Sequence, residues 1–216
     1  MILGGSVPIL LNVQSSPNFH SSGSRAVSKA FVEAFAAKHP DFEVIDVDLV
    51  KDPPKHVGRE HLRAFFMPPE THEPDDAAAL EASDAYVEQL ISADVIVLGT
   101  PMHNLGISST MKSWIDNIIR VGKTFRYTEN GPIGLIPGKK VVIVVGGGGI
   151  YTSGPLKNME HAGNYLRDIL STLGVTDITI LRAEGLALGP GMLEQGVANG
   201  EASARSTAEA LYSSAA

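Results

Sequence analysis

The chain has 216 residues, of which 44% are hydrophobic and 19% charged, with a formal net charge of −7, a profile ordinary for one globular domain. No apolar stretch reaches the roughly 18 residues needed to span a bilayer, and the acidic balance argues against nucleic-acid or anionic-membrane partners, which require clustered Lys and Arg. Cysteine is absent, so disulfides and thiolate chemistry are excluded and the cytoplasm is the expected compartment.

In chain order, the start MILGGSVPILLNV lacks a basic flank and a small-residue cleavage site. PILLNV (8–13) therefore reads as a strand and not a signal peptide, with the first seven residues an extension. A helix beginning near Ser24 follows, with Val27, Ala30, Phe31, Ala34 and Phe35 at helical spacing. FEVIDV (42–47) reads as a second strand. Residues 50–75, VKDPPKHVGREHLRAFFMPPETHEPD, are dense in proline and charge yet carry Phe65, Phe66 and Met67 together. This insertion suits a surface loop over a small satellite core as well as it suits a lid or dimer contact, because long structureless loops are uncommon unless they act. Leu80, Val87, Leu90 and Ile91 make a weaker helical stripe before the strand DVIVLG (94–99). A stronger stripe of Met111, Trp114, Ile115, Ile118 and Ile119 comes next.

In KTFRYTENGPIGLIPGKK, ENGP between aromatics predicts a short hairpin over about 123–138. KVVIVV (140–145), a helix carrying Met159, Leu166, Ile169, Leu170 and Leu173, DITILR (177–182) and an Ala-rich helix near 193–213 complete the chain. The last helix carries Leu193, Val197, Ala204, Ala208 and Leu211. The order βαβαβαβαβα predicts a single α/β domain over 1–216. Its architecture is flavodoxin-like: a doubly wound, five-stranded parallel sheet in the order 2-1-3-4-5 with helices on both faces.

Ligands of such sheets bind beyond the carboxyl ends of the strands, where the winding reverses. The loops after the first, third and fourth strands should converge there: QSSPNFHSSGSR (14–25), TPMHNLG (100–106) and GGGGIYTSG (146–154). Hydroxyls and a glycine at a helix N-terminus suit a phosphate. No GxxxxGK[ST] motif supplies a lysine, which implies a monoester that is held but not cleaved. A serine-rich N-cap without ligand is the plain alternative; the two companion loops favour the phosphate. Four consecutive glycines cost roughly 0.5–1 kcal/mol each relative to alanine, which a backbone lying close against a flat ring would justify, with Tyr151 beside it.

Rival signals are weaker. GxGxxG is missing from the first strand–helix turn, although Asp46 and Asp48 end the second strand where a dinucleotide fold wants an acid. GISST (106–110) misses the hydrolase elbow at Thr110. The histidines form no metal spacing; His39, His56, His61 and His72 read as surface residues, and His103 as a hydrogen-bonding residue within the second loop.

These motifs together resemble the FMN-dependent NADH azoreductases, also described as FMN-dependent NADH:quinone oxidoreductases. The likeness runs through the Ser15 loop, FVEAF (31–35), PMHNLGISSTMKSWID, GKTFRYTENGPIGL (122–135), GGIYTSGP (148–155) and AEGLALGP (183–190). It implies that Ser16, Ser22, Gly23 and Ser24 hold the FMN phosphate. Pro101, Met102, His103, Asn104 and Leu105 would line the ring, with Gly106 allowing close approach. Gly146, Gly147, Gly148 and Gly149 would run beneath the pyrimidine end, with Tyr151 near its carbonyls. It also implies a homodimer with flavin pockets at the subunit interface, Phe125 and Tyr127 walling the substrate site, Arg63 as a lid residue, and no metal. The activity implied is ping-pong, two-electron transfer from NADH or NADPH via FMN to quinones, with reductive cleavage of aromatic azo compounds. His103 or Tyr127 would be proton-handling helpers. An electron-carrier flavodoxin-like protein without its own substrate reaction is the alternative. His103 and Leu105 stand at positions often aromatic in the family, and Gly146 and Gly147 replace a Ser/Thr and a bulkier polar residue.

Overall fold

The computed structural model describes residues 7–67 and 69–212; six of the seven residues read as an extension lie outside them. Along the chain run β1 (Ile9–Gln14), α1 (Gly23–Lys38), β2 (Glu43–Asp48), α2 (Arg59–Phe66) and α3 (Pro74–Ser92). Then come β3 (Val95–Pro101), α4 (Ser109–Ile118), β4 (Phe125–Thr128), β5 (Gly131–Gly134), β6 (Lys140–Gly146), α5 (Ala162–Thr172), β7 (Asp177–Ala183) and α6 (Met192–Ala210). The main sheet is parallel in the order β2-β1-β3-β6-β7, and β4–β5 form a separate antiparallel hairpin. With the hairpin set aside, this is the expected 2-1-3-4-5 winding.

Strand alternation divides the core in two. Leu11, Val13, Ile96, Leu98, Ile143 and Val145 face one side, against Met111, Trp114, Ile115 and Ile118 of α4 and Leu166 and Leu170 of α5. Leu10, Val95, Val97, Val142 and Val144 face the other, against Val27, Phe31 and Phe35 of α1 and Ala204 and Ala208 of α6. On this second face β1 turns polar towards its end. Gln14 donates to Asn12 (2.8 Å) and Asn12 to Asp46 (2.7 Å). Among the described residues no helix is long and apolar enough to cross a membrane.

The structure departs from the sequence reading where polar anchors outrank apolar spacing. Met159 lies not in α5 but in a preceding 3₁₀ turn, Gly154–Met159, and is exposed. The buried Glu160 separates them: it accepts Gly163 N (2.6 Å) and pairs with Arg182 (3.0 Å), so the helix starts after it. Ile91 is exposed, because α3 is seated through Ser83, Val87 and Leu90 instead. His61 is buried, not superficial: its Nδ1 accepts Gly58 N at the start of α2 (3.1 Å) and its ring edge meets Phe65. His56 stays exposed but bonds Ser113 Oγ at 2.8 Å.

The 50–75 stretch thus contains a helix. Arg120, itself buried, fastens this region to α4: it donates to Ser83 (2.6 Å) and Asp84 (3.0 Å) and lies 4.3 Å from the Phe65 ring centre. Burial pushes the Arg120 pKa down, and Asp84 partly reverses that.

α6 is seated by small residues, Gly196, Gly200, Ala204 and Ala208, at four-residue spacing; Leu193 and Val197 are only half-buried. A Cβ at Gly200 would stand 2.5 Å from Val27 Cγ2 and 2.9 Å from the Arg182 carbonyl, and one at Gly196 only 2.2 Å from the Glu184 carbonyl. Gly196→Ala is expected to destabilise by about 1–3 kcal/mol through overpacking, overriding the roughly 1 kcal/mol gain in helix propensity. Urea unfolding reads the difference, and a stability gain would show that α6 can shift to accept the methyl.

Candidate cofactor site

A cleft of about 330 Å³ opens at the carboxyl end of the sheet, within the size range of small-molecule sites. Ser16, Asn18, Ser21, Ser22, Gly23 and Ser24 line one wall, Pro101, Met102 and His103 another, and Gly146, Leu186, Ala187 and Leu193 the rest. The expected loops after β1, β3 and β6 therefore meet there, joined by the segment after β7 and the start of α6.

The serine loop is built around its own side chains. Asn18 Oδ1 accepts the amides of His20 and Ser21 (both 3.0 Å), and Asn18 Nδ2 donates to Ser21 Oγ (2.9 Å). Ser16 Oγ accepts Asn18 N (3.3 Å), which leaves its hydroxyl hydrogen to be donated elsewhere. Ser22 is the N-cap of α1, accepting Arg25 N at 3.3 Å, and its hydroxyl lies 3.2 Å from that of Ser24. The first intrahelical donor is Ala26, to the Ser22 carbonyl (3.0 Å). The amides of Gly23 and Ser24 precede it and belong to the unsatisfied first turn. Gly23 is fixed by crowding: a Cβ would stand 2.7 Å from Leu186 Cδ1 and 2.9 Å from Ala183 Cβ.

The middle loop is a two-residue turn. His103 N donates to the Gly106 carbonyl (2.9 Å) and Gly106 N returns to His103 (3.0 Å). Both central residues, Asn104 (φ 49) and Leu105 (φ 70), have positive φ, as a type I′ turn requires. For leucine that conformation costs of order 1–2 kcal/mol, and such strain gathers at functional sites. Two bonds hold the loop: Met102 N to the Gly146 carbonyl (2.7 Å) and His161 N to the Leu105 carbonyl (3.1 Å). Crowding does not require the glycine at 106, where a Cβ would meet only the His103 carbonyl at 3.9 Å.

The glycine run is narrow, not loose. None of Gly146 to Gly149 has positive φ. The run is hydrogen-bonded to the segment after β7, through Gly147 N to Ala183 O (2.8 Å), Leu186 N to Gly147 O (3.2 Å), Ala187 N to Gly148 O (3.0 Å) and Gly185 N to Gly149 O (2.8 Å). A Cβ at Gly146 would stand 3.1 Å from Ser24 N, directly against the open amides of α1. The ring of Tyr151 packs back on Gly147 and Gly149, 3.3 Å from where a Cβ would be at either. Glu184 pins this corner, accepting Tyr151 N (2.8 Å) and Thr152 Oγ1 (2.6 Å).

Other expected residues lie apart from the cleft lining. Phe125 and Tyr127 pair edge-to-face on the hairpin, centroids 5.3 Å apart, with Tyr127 69% exposed. Arg63 is engaged by Glu73 (2.8 Å), the N-cap of α3, and by Asp76 (3.3 Å) in its first turn, and the Glu73 hydrogen bond raises its pKa. Of the glycine run only Gly146 lines the cleft; Gly147, Gly148, Gly149 and Tyr151, like Asn104, Leu105 and Gly106 of the middle loop, are not among its lining residues. Asn18, Leu186, Ala187 and Leu193 also line the cleft; they lie in the 14–25 loop, the AEGLALGP motif and the last helix, but nothing in the sequence assigned them a site role.

Among the described residues lining the cleft none is Lys or Arg, so an anion there meets hydroxyls, amides and the helix dipole. The residues fit a phosphate monoester with an attached flat ring. The donors are neutral, the amides of α1 open into the cleft, and a side chain at Gly146 would fill the space beside them.

A family model described as flavodoxin-like fold matches residues 9–208. An FMN-dependent NADH:quinone oxidoreductase of Herminiimonas arsenicoxydans is 42% identical over 180 residues, 83% of this chain and 88% of that protein. One of Agrobacterium fabrum is 38% identical over 201 residues, 93% of this chain and 98% of that protein. A crystal structure described as an FMN-dependent NADH-azoreductase from Bacillus anthracis in complex with FMN superposes with a TM-score of 0.86 at 26% identity, covering 96% of this chain and all of that one. An azoreductase from Bacillus anthracis str. Sterne gives 0.87 at 29%, covering 94% and 99%.

Asp48, beside the serine loop, tests the electrostatics. Burial raises its pKa, but hydrogen bonds from Arg25 and from the Val50 and Lys51 amides, with the Arg25 charge, bring it below the usual 3.8. A depressed carboxylate contributes stability above its unfolded pKa and loses it as acid protonates the folded state. Wild-type urea midpoints should therefore fall more steeply than those of Asp48→Asn as pH drops from 3.8 through the depressed value; parallel slopes would contradict the assignment.

Proposed function

The chain belongs to the family of FMN-dependent NADH:quinone oxidoreductases with a flavodoxin-like fold, and from that premise we propose that it reduces quinones and aromatic azo compounds at the expense of NADH. When bound, FMN supplies the redox chemistry, accepting two electrons as hydride and delivering both to the acceptor. The protein's part is to bind, orient and shield.

In this reading Ser16 and Ser22 donate hydroxyls, and Gly23 and Ser24 backbone amides, to the phosphate. Pro101 to Leu105 and Gly146 to Gly149 enclose the ring edge, with the Met102 side chain against Gly147. The strained turn at Asn104 and Leu105 would present closely spaced amides to the ring's polar atoms. Tyr151, on its glycine bed, would border the pyrimidine side. The exposed imidazole of His103 and the hydroxyl of Tyr127 are the groups that could hand a proton to a reduced acceptor.

A homodimer belongs to the same proposal. The Phe125–Tyr127 pair lies outside its own chain's cleft yet presents an exposed aromatic surface, which suits a wall for flat substrates in a partner's site. Residence in the cytoplasm is also part of it, supported by the cysteine-free sequence.

The observation that carries the reading is that a Cβ at Gly146 would stand 3.1 Å from Ser24 N, beside a hydroxyl-rich N-cap. It supports a narrow anion cradle at the flavodoxin-like switch point. Gly146→Val should weaken FMN binding roughly tenfold or more, the scale of one lost charged hydrogen bond, measured by quenching of flavin fluorescence on titrating apoprotein. With the wild type, NADH should bleach the flavin absorbance and a quinone or azo dye should restore it. A yellow protein that NADH leaves unbleached would reject the enzyme and leave only a carrier.

A further inference from the structure

We propose that Arg25 and Asp48 form a positioning clamp that holds the Ser16–Ser22 loop in its phosphate-gripping shape without either side chain touching the phosphate. The inference rests on the reading of the cleft as an FMN site and adds residues to it that the motifs alone did not assign.

Arg25 occupies the third position of α1, directly after the open amides of Gly23 and Ser24. A guanidinium there would be expected to pair with the anion directly, since that is the strongest use of its fork. It does otherwise. Nε and Nη2 donate to the Ser16 carbonyl at 2.9 and 2.7 Å, and Nη1 and Nη2 reach the two oxygens of Asp48 at 2.9 Å each. Those four bonds use four of its five N–H groups. The Phe19 ring lies 4.6 Å from the guanidinium carbon. Asp48 is fixed in turn by Val50 N, which donates to its Oδ1 at 3.1 Å.

The arrangement answers a problem posed by the sequence. Ser16 is followed by Pro17, which has no N–H, so the chain leaves β1 without a backbone donor at that point. The Ser16 carbonyl is left to an outside partner, and a carbonyl turned into the cleft would face an anion. The fork occupies that oxygen with Arg25, which does not line the cleft, and ties the exits of β1 and β2 to the first turn of the helix. Because Asp48 neutralises the guanidinium, the pair offers the phosphate little net charge. Its effect is geometric.

Geometry and charge make opposite predictions, which the apoprotein can decide by titration with FMN and with riboflavin, a flavin lacking the phosphate. Arg25→Lys keeps the cation but loses the fork; it should weaken FMN roughly tenfold while riboflavin changes less than about twofold. Asp48→Asn frees positive charge near the loop, so a direct electrostatic role would tighten FMN, whereas a clamp requires it to weaken. Retained riboflavin binding reports an intact cleft in each variant. Tighter or unchanged FMN binding in Asp48→Asn, wild-type FMN affinity in Arg25→Lys, or equal losses for both flavins would each overturn the clamp. If wild type prefers FMN and the variants keep that preference, the clamp alone fails; if wild type binds the two flavins equally, the phosphate cradle fails and the clamp with it.

Discussion

The site depends on one constraint: the first turn of α1 must be packed in atomic contact on both flanks while its amides remain open at the top. A helix cannot satisfy its first donors internally, and burying one unpaired costs about 1–3 kcal/mol. Here the two flanks are glycines' neighbours. Gly23 is pressed by Leu186 and Ala183, and Gly146 brings the end of β6 against Ser24 N. A side chain at either position would push the helix away or cover the donors. The result is a slot closed at the sides and open to the cleft, which the proposed phosphate would complete.

That slot is set from some distance. Leu186 can press on Gly23 only because the segment after β7 is held in place, and the packing of α6 holds it. Gly196 lies against the Glu184 carbonyl and Leu186 Cδ2, and Gly200 against Val27 and the Arg182 carbonyl. The same segment carries Glu184, which fixes Tyr151, and the backbone bonds that stiffen the glycine run. Helix packing, the β7 exit and two of the cleft's walls are therefore one mechanical unit. A substitution in the α6 seam is as much a change to the site as one in the serine loop.

What could be read from the residues follows from the kind of physics that wrote each feature. The central strands β1, β3 and β6 are legible because a strand buried on both faces must be apolar almost throughout, and the start of α1 because hydroxyls before an apolar helical stripe signal an N-cap, which Ser22 is. The turn at Asn104 and Leu105 was not legible: its positive φ values are imposed by Met102, His161 and the exchange between His103 and Gly106, all remote or backbone, and leucine announces none of it. Gly106, the residue that looked permissive, is unstrained. Glu160 and His61 carry no periodic signal, since a polar side chain is buried only where the fold supplies partners such as Gly163, Arg182 and Gly58. Arg25 stood in plain view beside the serines, yet only the structure reveals that its fork is spent on the Ser16 carbonyl and Asp48 and that it does not line the cleft. The glycine run was read as a bed for a flat ring; Tyr151 of the same chain already lies on part of it.

The electrostatics of the cleft explain why so many bonds are spent on one short loop. A lysine or arginine in contact with a phosphate attracts it over several ångströms and tolerates misplacement, because Coulomb attraction falls slowly with distance. Hydroxyls and amides do not; a hydrogen bond weakens steeply once its angle or length is wrong. With the Arg25 charge already met by Asp48, the proposed grip on a phosphate would have to come from donors placed accurately before the ligand arrives. The Asn18 side-chain turn, the Ser22 cap and the guanidinium on the Ser16 carbonyl each remove a freedom that would otherwise be lost on binding. In the proposed reading an uncharged cradle would hold a dianion only if it is rigid, and the side chains of Asn18, Ser22 and Arg25 restrain the loop that forms it.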